Sequence, residues 1–240
     1  MSYTEKEIID LFETNRPYQK DCVNYKGKTS SGEYYNEVIA KLVLKNSFTV
    51  YPYTKNLKTI FWHSSDNINV TIKSEKGLCR RFFSLHNFID NDLIQKYGEP
   101  IDYEINLVEG TKINVDLISI NREEKAVYLI EVKGKVATGN DFYSTSETLL
   151  RCALEIETYY ETLIPNKDKL LSDIFKSRKI DENHKNYTLK KGILIPSDSF
   201  CAYQADDQIG MKEFKNVNQV LNKYNISVCV FDKYIYKKFN

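Results

Sequence analysis

Apolar positions along the chain keep two rhythms, and the change from one to the other divides it. In the first fifty residues they recur at helical spacing. A helix is predicted over residues 4–14 and a second over "SSGEYYNEVIAKLVLKNSF", residues 30–48. In the second, Tyr34, Val38, Leu42 and Lys45 share one stripe, while Val38, Ile39, Leu42 and Val43 supply an apolar face. Ser30 and Glu33 have capping-box spacing. Residues 48–53 read as extended, and 56–95 mix short apolar runs with polar breaks that predict no element.

From Ile101 the period falls to two. Strands are predicted over "IDYEINLV" (101–108), "INVDLISI" (113–120) and "AVYLIEVK" (126–133), joined by the turns "EGTK" and "NREEK". A loop over 134–143 leads into a helix over 144–164, opened by a Ser144–Glu147 capping-box spacing and stopped before Pro165. "GILIP" (192–196) is a short buried strand, residues 210–225 form an amphipathic helix, and "ISVCVF" (226–231) is a last strand. This order predicts an α/β fold with a mixed central β-sheet flanked by helices. Few glycines or prolines interrupt it and no repeat or linker is visible, so one domain over 1–240 is expected. Its core spans about 31–196, with the helix 4–14 and the helix–strand 211–232 as additions.

Composition narrows the function classes. Hydrophobic residues at 42% suffice for a sizeable core, and a net charge of +1 gives no global pull toward nucleic acid. The N-terminus lacks the basic and apolar regions of a secretory signal, and no apolar run approaches the roughly 20 residues of a membrane span, so a cytoplasmic protein with no membrane partner is expected. The five cysteines are odd in number and never paired as CxxC, which argues against zinc and disulfides and for buried thiols. His63, His86 and His184 are scattered without ligand spacing. Phosphate-loop, G-x-S-x-G and HExxH motifs are absent from the sequence.

Three charges stand where a sheet would favour aliphatic residues: Asp116, Glu131 and Lys133. Alternation sets Glu131 and Lys133 on one face, and antiparallel pairing brings Asp116 beside Glu131. Two adjacent carboxylates repel unless one is protonated or a cation lies between them. Mg²⁺ takes such oxygen ligands and leaves room for water and a phosphate, with Lys133 near enough to stabilise added negative charge. The plain alternative is a salt-bridged sheet edge.

These residues resemble the signature of the PD-(D/E)XK nuclease superfamily, in which a metal-binding aspartate on one strand precedes a Glu/Asp-x-Lys on the next. "VDLISINREEKAVYLIEVKG" carries Asp116, Glu131 and Lys133 at the matching positions, with Val115 where proline is common. The resemblance implies an αβββαβ, restriction-endonuclease-like core and a Mg²⁺-dependent nuclease, Mn²⁺ serving as substitute. Asp116, Glu131 and the Val132 carbonyl would bind metal, Glu37 of the preceding helix, with Glu33 as its competitor, would hold a second ion or a metal-bound water, and Lys133 would position and polarise the attacking water. On the following helix Glu155 and Tyr159 match a Gln-x-x-x-Tyr pattern, glutamate replacing glutamine, with Arg151 one turn before. The expected partner is nucleic acid, DNA before RNA, met by Lys135, Arg80–Arg81 and the basic segment 175–192. A homodimer or partner subunit would assist recruitment. An inactive nucleic-acid-binding or interaction module on the same fold is the alternative reading.

Overall fold

Strand β3 (Ala126–Val132) is buried at every position, and its side chains enter two different cores. Val127 and Leu129 join one; Tyr128, Ile130 and Val132 join the other. A strand covered on both faces needs apolar residues throughout, which is how "AVYLI" reads. The computed structural model describes residues 2–13, 21–45, 63, 74–84, 91–106, 114–136, 143–144, 147–206, 208 and 210–231.

Around β3 the strands β1 (Glu99–Asn106), β2 (Asn114–Asn121), β6 (Thr188–Pro196) and β7 (Ile226–Phe231) complete one sheet in the order β1-β2-β3-β6-β7. The first three form an antiparallel meander, whereas β6 and β7 run parallel to β3. Two short strands, β4 (Lys135–Val136) and β5 (Tyr143–Ser144), pair with each other. Helices α1 (Glu5–Glu13), α2 (Tyr35–Lys45), α5 (Leu149–Leu163), α6 (Lys167–Ser177), α7 (Phe200–Ala205) and α9 (Lys215–Lys223) contribute to the first core. The second lies beneath α3 (Glu75–Ser84) and α4 (Asn91–Tyr97). The fold is thus α/β, a mixed sheet with helices on both faces. Among the described residues no helix is long and apolar enough to cross a membrane.

Several boundaries differ from the sequence expectation. Helix α2 starts at Tyr35, and Ser30 and Glu33 form no capping box. Thr29 Oγ1 accepts the Glu33 N–H at 3.2 Å, while the Glu33 carboxylate pairs with Lys41. The Ser144–Glu147 spacing makes no cap either. Ser144 belongs to β5, and helix α5 begins at Leu149 behind Thr148. The Thr148 hydroxyl accepts the Arg151 N–H at 3.3 Å and donates to Val23 O at 2.5 Å, so the true cap also ties the helix to a distant part of the chain.

The predicted helix 210–225 is two, α8 (Gly210–Glu213) and α9, because the fully buried Phe214 leaves helical geometry at φ −127° between them. Strand β6 begins at Thr188, ahead of "GILIP", and α3, α4, α6 and α7 fall where no element is predicted. The extended stretch 48–53 and the end of the first predicted strand, 107–108, lie outside the described residues.

Candidate metal centre

The ladder between β2 and β3 ends at Leu117–Ile130. One residue further, a side chain replaces backbone: Asp116 Oδ2 accepts the Val132 N–H at 2.9 Å. The register sets Asp116 opposite Glu131. Glu131 is 2% exposed; one oxygen pairs with the Lys133 ammonium, and the other, Oε2, is buried with no hydrogen bond. Such an oxygen is costly to leave unsatisfied.

Lys133 is the hub of the cluster. Beyond Glu131, its Nζ lies 3.2 Å from Glu147, 3.6 Å from Glu155 and 4.0 Å from Glu75. Glu155 is 3.6 Å from Arg151 and accepts the Tyr159 hydroxyl at 3.0 Å. The three supporting residues expected on α5 therefore interact with one another and, through Glu155, with Lys133.

Burial drives the Asp116 carboxyl up to about 7, against the pull of Lys133 and of the Val132 hydrogen bond. Burial, and then the charge of Asp116, drives Glu131 well above the ordinary carboxylate range. For Lys133 burial disfavours the charge, but Glu131, Glu155 and Asp116 outweigh it and hold the ammonium well above its usual pKa. Burial also raises Glu75. A buried carboxylate with an orphan oxygen, Glu131, raised by the charge of a half-buried one, Asp116, forms with it a donor set that fits a hard divalent cation.

Glu37 has a different job. Its carboxylate accepts the backbone N–H groups of Asn216 and Val217 at 3.0 and 2.9 Å, and the Asn216 amide at 2.6 Å. It thereby caps α9, and three donors already occupy it. Its position beside the apolar stripe signals burial correctly, and its partner is the N-terminus of α9.

The expected nucleic-acid contacts fare unevenly. In the segment 175–192, Arg178 pairs with Asp102, Lys190 with Glu124 and Lys191 with Glu157, so three of its cations are committed. Arg80 lies near enough to Tyr103 to affect its hydroxyl. The side chain of Lys135 lies outside the described residues. His63 Nδ1 meets the buried Asp102 at 2.8 Å and its ring stacks on Tyr103, a structural setting.

Sequence reasoning misses Glu75 and Glu147, which face Lys133, and Glu104 and Cys79, whose donor atoms lie within 4.8 Å of each other and of an Asp116 oxygen. Glu75 and Cys79 fall in the stretch without a readable period, Glu147 reads as part of a cap, and Glu104 looks like an ordinary alternating strand residue. A cleft of about 780 Å³ opens at the other end of the sheet, beside Lys191, Tyr160 and Tyr224, away from these groups. Comparison with protein-family models, with curated proteins and with solved structures finds no match.

Proposed function

We propose that this chain is a Mg²⁺-dependent nuclease, accepting Mn²⁺, that hydrolyses phosphodiester bonds, with DNA preferred to RNA. The orphan Glu131 oxygen opposite Asp116, with Lys133 alongside, carries the reading. The order of a helix, three antiparallel strands, a helix and a parallel strand is also the one that the PD-(D/E)XK resemblance implies.

Asp116, Glu131 and the Val132 carbonyl would hold the cation, which when bound supplies Lewis-acid polarisation and a more acidic water. Lys133 contributes a fixed positive charge against the negative charge that grows on the phosphoryl oxygens. Glu155, braced by Arg151 and Tyr159, keeps that ammonium in place. Glu75, the most exposed of the four glutamates around Lys133, takes the helix-acid role expected of Glu37 and accepts a proton from the attacking water.

Plasmid and single-stranded DNA incubated with increasing Mg²⁺ or Mn²⁺ test the reading. Wild-type protein cleaves, and Lys133→Ala is slower by about 100-fold or more. No cleavage by folded wild type in either metal turns the reading to an inactive nucleic-acid-binding or interaction module.

A further inference from the structure

On the side of Asp116 facing α3 a second group of donors converges. Cys79, Glu104 and Asp116 bring one sulfur and two carboxylate oxygens within 4.8 Å of one another. Three elements deliver them: α3, β1 and β2. Glu104 lies opposite Asp116, between the pairs Tyr103–Leu117 and Ile105–Val115. It has φ +49°, a left-handed conformation that a strand residue other than glycine seldom adopts. Asn114 Nδ2 donates to its Oε2 at 3.1 Å and fixes the carboxylate.

Two residues that interact with members of the group, Asn114 with Glu104 and Glu131 with Asp116, each keep an unsatisfied oxygen. Asn114 Oδ1 is buried without a hydrogen bond, and so is Oε2 of Glu131, a residue only 2% exposed and placed opposite Asp116. Like charges directly opposite in a sheet repel, and a strained acid held against another is a poor structural choice unless a cation joins them.

We propose that Cys79, Glu104 and Asp116 form a second cation site, sharing Asp116 with the proposed hydrolytic centre, for a borderline divalent metal such as Mn²⁺, Co²⁺ or Zn²⁺. Mixed sulfur and carboxylate donors suit these ions, whereas Mg²⁺ takes oxygen alone. On binding, the Cys79 S–H bond breaks, a sulfur–metal bond forms and the proton leaves to solvent. The site rests on the hydrolytic reading only for a use in catalysis; metal binding does not require it.

Titration of the protein with Co²⁺, followed in the near ultraviolet, tests it. Wild type develops a thiolate-to-Co²⁺ absorption band that saturates stoichiometrically. Cys79→Ser loses the band, and Asn114→Ala, which keeps the sulfur and frees Glu104, weakens Co²⁺ binding about 10- to 100-fold. A wild type without the band, or a Cys79→Ser protein that retains it, overturns the site. Mg²⁺-dependent cleavage without any band overturns this inference and leaves the nuclease reading standing. A band in a protein that cuts nothing supports the site and counts against that reading.

Discussion

Burial around Lys133 acts on the carboxyl groups beside it, raising Asp116 against the pull of the ammonium itself. Asp116 has its pKa raised from 3.8 to about 7, so the folded state binds a proton more readily than the unfolded chain. Stability from this group is complete below the unfolded value and falls as pH rises toward the folded one. Without added metal, the melting temperature should therefore decline from about pH 4 to about pH 7, and Asp116→Asn should flatten that slope. A melting temperature rising across this window in wild type contradicts the assignment. The ammonium itself matters to stability as well. Lys133→Met leaves Glu131 buried without its cation and should cost about 3–5 kcal/mol near neutral pH, much of it recovered by adding Glu131→Gln. Chemical denaturation of the single and double variants checks this. Asp116, Glu131 and Lys133 are legible in the sequence because strand alternation and a short turn fix their relation locally. Cys79 and Glu75 are not, since only the packing of α3 on the sheet brings them near.

At the level of elements, the acid proposed from a helix is Glu75 on α3 rather than Glu37 on α2. Glu37 anchors α9 to α2, so Glu37→Gln should lower stability by about 1–2 kcal/mol and leave cleavage unchanged. Glu75→Gln should do the reverse, slowing cleavage while the melting temperature holds. Thermal melts beside rate measurements separate the two, and slow cleavage by Glu37→Gln would restore that residue to the centre. The β-meander can be read from sequence because its turns and its period of two agree. The helix starts at Ser30 and Ser144 mislead, since a Ser-x-x-Glu spacing is short and common. The working cap of α5, Thr148, also needs Val23 O, a partner that no local pattern reveals.

For the whole molecule, net charge is near neutral while acids gather around one end of β3. Phosphate should therefore be repelled until a cation is bound. DNA affinity measured by fluorescence anisotropy should rise on adding Ca²⁺, a non-supporting substitute, or Mg²⁺, and tight binding in chelator would contradict this. Recruitment of substrate by a second copy or a partner subunit is proposed on the same charge balance. The sharpest test asks whether Asp116 and Glu131 share an ion. Calorimetric titration with Mg²⁺ should show binding to wild type that both Asp116→Asn and Glu131→Gln abolish, with each variant still folded. Equal Mg²⁺ binding by wild type and Glu131→Gln would contradict the account.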